Sequence, residues 1–108
     1  MTFDEYQAAA LRTADLKRKN ELFHLVLGLM GEAGEISEKF KKWVRDTDLD
    51  ESRIDREDLK KELGDVLWYI TVLAQYFEVE LDDVARTNVR KLADRQKRNV
   101  LGGSGDNR

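Results

Sequence analysis

The sequence predicts an all-α protein, and three observations carry the prediction. Its 108 residues include no proline, and the seven glycines leave long uninterrupted stretches of helix-forming residues. Apolar residues in the middle of the chain recur at alternating spacings of three and four, the period of an amphipathic helix. A chain of this length fits one domain with a limited core. We therefore expect a single four-helix-bundle-like domain over residues 1–108, with a flexible glycine-rich tail from about 100 to 108.

The first two helices are predicted from capping residues and periodicity. Thr2 opens a capping box, Thr-Phe-Asp-Glu, and the first helix is expected to run to about Lys19. Asn20 is a favoured N-cap residue, so the second helix should begin after it. The polar run from Arg45 to Ser52 is typical of a loop and should end that helix. The apolar face of the second helix consists of Leu22, Val26, Leu29, Ala33, Ile36, Phe40 and Trp43.

The third helix is expected to start near Asp55, and its C-terminal half is apolar on nearly every side. A helix of this kind is buried all round, and in so short a chain such burial is easiest between subunits. We therefore expect a helical homodimer or homotetramer. The fourth helix should begin near Asp82 or Asp83 and run to about Asn99. Its inward-facing residues are predicted to be Val84, Ala85, Val89 and Leu92.

Composition excludes several classes of site and partner. The chain has no cysteine and one histidine, His24, so disulfides, thiolate metal sites and sites with paired imidazoles are excluded. The 19 basic and 22 acidic residues leave a net charge of −3, which argues against binding of a nucleic acid polymer. The N-terminus lacks the pattern of a signal peptide, and no apolar run is long enough for a bilayer. We expect a cytoplasmic protein with no membrane association.

Two groups of acidic residues lie at helical spacing. At about 100° per residue, Glu32 and Glu35 share a line with Gly28 and Lys39 on the second helix. The same geometry aligns Glu62 and Asp65 on the third helix. The members of this second line are Asp58, Glu62, Asp65 and Tyr69. If the two helices pack together, both pairs of carboxylates face a common seam, where a cation would be needed to balance their charge.

Oxygen ligands from carboxylates are what Mg²⁺ prefers, and Mg²⁺ usually completes its coordination with waters and substrate phosphates. A redox di-iron bundle would need Glu-x-x-His pairs, which this chain cannot supply. Either acidic pair taken alone is also compatible with a solvated helix face. Glycines inside a helix cost about 1 kcal/mol each relative to alanine. Those beside the acids therefore suggest close approach of a ligand or another helix, and they are Gly28, Gly31, Gly34 and Gly64.

The motifs themselves resemble a known family. Residues 28–38 read Gly-Leu-Met-Gly-Glu-Ala-Gly-Glu-Ile-Ser-Glu, and residues 61–69 read Lys-Glu-Leu-Gly-Asp-Val-Leu-Trp-Tyr. Together they give Glu-x-x-Glu and Glu-x-x-Asp separated by 26 residues. A third element, Asn-x-x-Lys-x-x-x-Arg at 88–95, precedes a tail that reads Gly-Gly-Ser-Gly-Asp-Asn-Arg. In these features, roughly residues 20–108 resemble the MazG-like branch of the all-α nucleoside triphosphate pyrophosphohydrolases.

The resemblance implies hydrolysis of a nucleoside or deoxynucleoside triphosphate between the α and β phosphates to a monophosphate and pyrophosphate, in nucleotide-pool house-cleaning. It implies Mg²⁺ as cofactor, with Mn²⁺ as a substitute, held by Glu32, Glu35, Glu62 and Asp65. Two or more ions would bridge the phosphates and activate a water. Glu35 is the first candidate to orient or deprotonate that water, and Glu38 is the second.

Other residues acquire expected roles from the same resemblance. Lys39 is a candidate to stabilise charge on the phosphates, with an ion pair to the acids as the alternative. Asn88, Lys91 and Arg95 are expected to contact phosphates and sugar, and solvated charges are the alternative. Tyr69 is a candidate to stack on the sugar or base. For Trp43 and Trp68 we favour packing over ligand binding.

Two alternatives to a broad pyrophosphohydrolase stay open from the sequence. One is a narrower dUTP or dCTP pyrophosphatase with the same acidic motif and a different base pocket. The other, of a different class, is a non-catalytic helical module for oligomerisation or regulation. The preferred base and sugar, the number of metal ions and the choice between dimer and tetramer do not follow from the residues.

Overall fold

The computed structural model describes residues 1–108, and it is helical with no strand. Its elements are α1 (Phe3–Leu11), α2 (Glu21–Thr47), a 3₁₀ helix (Glu51–Arg53), α3 (Arg56–Tyr76) and α4 (Leu81–Lys97). α2 and α3 form a long antiparallel hairpin, while α1 and α4 pack against α3 and against each other. The predicted all-α fold with four helices is confirmed. No helix is both long enough and apolar enough to span a membrane.

α1 begins as predicted but ends eight residues early. The hydroxyl of Thr2 accepts a hydrogen bond from the backbone N–H of Glu5, so the predicted cap is present. The helix ends at Leu11 rather than near Lys19, and there the carbonyl of Ala10 accepts from the backbone N–H of Thr13 at 3.1 Å and from the indole N–H of Trp68 at 3.3 Å. A residue 58 positions away thus contacts the end of the helix, and the local sequence does not indicate this contact.

α2 begins after Asn20, as predicted, although the side chain of Asn20 makes no capping hydrogen bond. The helix runs on to Thr47, three residues into the predicted loop from Arg45 to Ser52. The Thr47 hydroxyl donates back to the carbonyl of Trp43 at 2.6 Å, which supports the extra turn. At 1.5 Å per residue, the 27 residues of α2 form a rod of about 40 Å.

α3 begins where the sequence indicates, since the Asp55 carboxylate accepts from the backbone N–H of Asp58 at 3.0 Å. α4 begins at Leu81, one residue before the predicted start, and its first N–H donates to Gln7 of α1 at 2.7 Å. The buried amide of Gln7 also donates to Gln75 and to the carbonyl of Val79. One glutamine therefore holds α1, the end of α3 and the start of α4 together.

Three residues that were predicted to face inward on α4 do not. Val84, Val89 and Leu92 are all exposed, and the buried residues of α4 are Leu81 and Arg95. The reason is that α4 packs mainly against α1 and α3 within the chain. The apolar spacing of α4 therefore marks a face that this chain alone does not cover.

The burial of α3 also differs from the expectation. Its C-terminal half was predicted to need a second subunit, yet residues 66–75 are half-buried or buried within the same chain, and Tyr76 and Phe77 beyond them are exposed. The larger uncovered apolar surface is on α2, where Phe23, Leu27 and Met30 are 68%, 69% and 59% exposed. Their spacing of four and three places them on one side of the helix. We call Phe23, Leu27 and Met30 the α2 apolar face.

Candidate metal and substrate site

Three carboxylates converge where α2 and α3 pack together. Glu32 of α2 and Glu62 and Asp65 of α3 each offer one oxygen, and these oxygens lie within 4.8 Å of one another. Helical spacing explains the convergence, because Glu62 and Asp65 are three residues apart on the side of α3 that faces α2. We call these three residues the acid group. Oxygen donors from two helices at this separation fit a hard divalent cation.

The electrostatics of the acid group favour a cation as well. Partial burial raises the pKa of the Glu32 carboxyl above its usual range, and the neighbouring Asp65, Glu62 and Glu35 raise it further. The folded chain therefore disfavours the charged form of Glu32. A bound cation would reverse that preference, because it attracts the same charge that the neighbouring acids repel.

Lys39 is the basic residue that reaches the acid group. Its Nζ bonds the Asp58 carboxylate and lies 3.4 Å from Oε1 of Glu62. The hydrogen bond to Asp58 and the nearby Glu62 raise the pKa of Lys39 despite some desolvation. Of the two roles considered for Lys39, the structure shows an ion pair, and its acidic partners are on α3 rather than on α2.

Glu35 and Glu38 lie outside the acid group. Glu35 is exposed, yet it is close enough to raise the pKa of Glu32. Glu38 is exposed on the side away from α3 and pairs with Lys41 at 3.1 Å. Of the four acids expected at the metal, the structure thus brings three together and leaves Glu35 beside them.

Tyr69 packs between helices. A Cβ added to Gly28 would lie 2.1 Å from Cε1 of Tyr69, so only glycine leaves room for this ring. The ring also meets His24 edge-on, with centroids 5.9 Å apart, and Trp68 at 4.9 Å. Tyr69, the stacking candidate, therefore has its ring against α2 in this structure.

The other three glycines near the acids have open space around them. A Cβ added to Gly31, Gly34 or Gly64 would meet no atom within 4 Å. The close approach suggested by these glycines is therefore realised by Tyr69 at Gly28 alone. The remaining three leave room beside the acid group for a molecule outside this chain.

The predicted substrate residues of α4 fall into two environments. Asn88 is exposed and lines a shallow cavity of about 370 Å³ with Lys91. Arg95 is buried, and both Lys91 and Arg95 contact the carboxylate of Asp106 in the C-terminal tail. No local pattern pairs Asp106 with these cations, because the contact depends on how the tail turns back.

A cleft of about 300 Å³ opens beside Lys39, between the C-terminal half of α2 and the start of α3. Its lining combines aromatic side chains with basic and acidic ones. The indole N–H of Trp43 donates to the carbonyl of Asp50 at 2.7 Å and fixes the loop that closes the cleft. The cleft is lined by Lys39, Phe40, Lys42, Trp43, Arg53, Ile54, Asp55, Asp58 and Leu59.

Trp68 has a packing role, as expected. Its indole N–H donates to the carbonyl of Ala10 and, at 2.9 Å, to the hydroxyl of Thr13. Tyr6 of α1 is a residue near the acid group that the sequence did not single out. Partial burial raises the pKa of its phenol, and the charge of Asp65 raises it further. No motif marks Tyr6, because its place depends on how α1 docks on α3.

Comparisons with known proteins identify the family of the chain. The family model of the MazG nucleotide pyrophosphohydrolase domain matches residues 21–100, which include both acidic motifs and α4. The Gene 37 protein of Mycobacterium phage L5 is 45% identical over 114 positions that span the whole of both chains. No solved structure shows a significant match. The chain therefore belongs to the MazG nucleotide pyrophosphohydrolase family.

Proposed function

We propose that this protein hydrolyses a nucleoside or deoxynucleoside triphosphate between the α and β phosphates, releasing a monophosphate and pyrophosphate. The observation that carries the proposal is the acid group, whose three oxygens lie within 4.8 Å of one another. Membership of a family of nucleotide pyrophosphohydrolases supports the same reaction. Mg²⁺ is the proposed cofactor and Mn²⁺ its substitute, because all the available ligands are carboxylate oxygens.

Glu32, Glu62 and Asp65 would hold the cation, which would neutralise phosphate charge and make a bound water more acidic. Glu35 is the proposed acceptor of the water's proton. It is exposed beside Glu32 and outside the acid group, so its carboxylate is open to a water at that point. Glu38 is a weaker candidate, since Lys41 already neutralises it.

Lys39 would act on the substrate from the other side of the acid group. It lies between Glu62 and the 300 Å³ cleft, so a phosphate bound to the cation would come within reach of its ammonium group. The cleft beyond Lys39 is the proposed place for the nucleoside. Asn88, Lys91 and Arg95 are the further proposed contacts to phosphates and sugar.

The test is pyrophosphate release from a panel of nucleoside and deoxynucleoside triphosphates, with Mg²⁺, with Mn²⁺ and with chelator. Glu62→Gln should abolish release, because it removes a ligand from the acid group. Glu57→Gln is the matched control, since Glu57 is an exposed acid on the first turn of the same helix, paired with Lys60. The ranking of the panel decides between a broad enzyme and a dUTP or dCTP pyrophosphatase.

Two outcomes would reject the proposal. Release that persists in chelator, or that Glu62→Gln leaves intact, would show that the acid group is not the catalytic centre. No release from any triphosphate would favour the non-catalytic helical module. In the enzyme, Glu35→Gln should lower kcat by at least about a hundredfold while metal binding is kept.

We also propose that the protein works as a homodimer or homotetramer. The α2 apolar face has no partner within the chain, and Gly31 and Gly34 further along α2 are equally uncovered. A second copy of the chain would bury this surface with the same side chains from both partners, as two-fold symmetric interfaces do.

A further inference from the structure

The C-terminal tail returns along α4 and places an acid on its cationic side. Nζ of Lys91 donates to Oδ1 of Asp106 at 2.9 Å. Nη2 of Arg95 lies 3.3 Å from the same oxygen and donates to the backbone carbonyl of Asp106 at 2.8 Å. One carboxylate oxygen therefore lies between two cations that belong to the predicted substrate-binding element.

The tail is held in this position by further contacts. Nη2 of Arg98 donates to the backbone carbonyl of Arg108 at 2.7 Å, and Nη2 of Arg108 donates to the carbonyl of Leu101 at 3.0 Å. Gly103 and Gly105 have φ of 96° and 83°, values that glycine adopts without strain. The glycines thus allow the turn that brings Asp106 back to α4.

The two partners of this contact are unequally covered. Arg95 is 3% exposed, and its buried Nε has no hydrogen-bond partner. The Asp106 side chain, in contrast, is 81% exposed. Hydrogen bonds from Lys91 and Arg95 hold the pKa of the Asp106 carboxyl below its usual range, so the carboxylate is charged at neutral pH. Arg95 is therefore a buried cation with one unused N–H donor, and its counter-anion, the Asp106 carboxylate, is open to solvent.

We propose that Asp106 is an internal counter-anion that competes with substrate phosphate for Lys91 and Arg95, which makes the tail an autoinhibitory latch. The inference rests on the proposed function, in which these two residues bind phosphate. A phosphate group offers more oxygens than one carboxylate, so it can bond both cations through separate oxygens. Its binding would release the tail from α4.

The test measures binding of inorganic pyrophosphate by calorimetry. Chelator is present, so that no metal bound at the acid group can hold the pyrophosphate. Asp106→Asn keeps the size of the side chain and removes its charge, and it should tighten pyrophosphate binding by about fivefold. Asp46→Asn is the matched control, because Asp46 is also exposed and ion-paired, with Arg45 on α2. The control should bind pyrophosphate as the unchanged protein does.

Hydrogen exchange of residues 100–108 gives a second reading, since pyrophosphate should speed exchange in the unchanged protein by releasing the tail. Equal, weaker or undetectable binding of pyrophosphate by Asp106→Asn overturns the latch, and so does slower exchange of the tail. The proposed function is judged separately by triphosphate hydrolysis. If the protein hydrolyses no triphosphate but Asp106→Asn binds pyrophosphate more tightly, the latch is supported and the proposed function is rejected.

Discussion

The surroundings of Glu32 destabilise the negative charge of its carboxylate. Partial burial and three neighbouring acids raise the pKa of its carboxyl, so the folded chain is less stable with Glu32 ionised than with it neutral. Such a cost is reasonable at a functional position, where a charged ligand reverses it. The consequence is a measurable difference between the metal-free and metal-bound protein.

We expect Glu32→Gln to raise the melting temperature in chelator at neutral pH, because an amide removes the cost of partly burying a charge and the repulsion from Asp65 and Glu62. The same change should abolish the stabilisation that Mg²⁺ gives the unchanged protein, because the acid group then lacks one ligand. Thermal unfolding followed by circular dichroism, with and without Mg²⁺, measures both effects. Glu57→Gln serves as control, and a lower melting temperature for Glu32→Gln in chelator would contradict the argument.

At the scale of helices, the contact of α2 with α3 depends on one glycine. Gly28→Ala should destabilise the protein by about 1–3 kcal/mol, because the new Cβ would lie 2.1 Å from the ring of Tyr69. Gly31→Ala, one turn along the same helix, meets no atom within 4 Å and should stabilise by up to about 1 kcal/mol. Urea unfolding compares the two variants. If Gly28→Ala is harmless, Tyr69 does not pack on α2 in solution.

The end of α1 depends on a side chain from α3. Trp68→Phe removes the donor to Ala10 and Thr13 and should cost about 1–2 kcal/mol in the free energy of unfolding. Trp43→Phe removes one exposed indole hydrogen bond, to Asp50, and should cost less. Urea unfolding measures both variants. Equal costs would show that the hydrogen bonds of Trp68 do not fix the end of α1.

The features that could be predicted from the sequence are local ones. The caps at Thr2 and Asp55 and the spacing of the acids are local features, and the structure contains each of them. The contact of the Trp68 indole with the end of α1 joins residues 58 positions apart, which no local pattern encodes. The pairing of Asp106 with α4 depends in the same way on the path of the tail.

The molecule is less compact than is usual for a chain of its length. Its radius of gyration is 16.9 Å, whereas a compact chain of about 100 residues has about 13 Å. Only eight of the 108 residues are buried, which is a small core for a domain that folds alone. The long α2–α3 hairpin therefore exposes surface that association would cover. The inward faces that periodicity predicted are only partly covered within the chain: Val26 and Phe40 on α2 are exposed, as are Val84, Val89 and Leu92 on α4.

Association through the α2 apolar face can be tested by a substitution at its centre. Leu27 is its central residue and is 69% exposed, so Leu27→Glu should leave the isolated fold intact while placing a charge in the proposed interface. We expect the dissociation constant of the oligomer to rise by at least about thirtyfold, the effect of losing a residue that contributes 2 kcal/mol to association. Sedimentation equilibrium measures this dissociation constant.

Leu49→Glu is the matched control, because Leu49 is 59% exposed in the loop after α2. Should Leu27→Glu and Leu49→Glu associate alike, the subunits must meet through another surface, and the exposed face of α4 with Val84, Val89 and Leu92 would be the next to test.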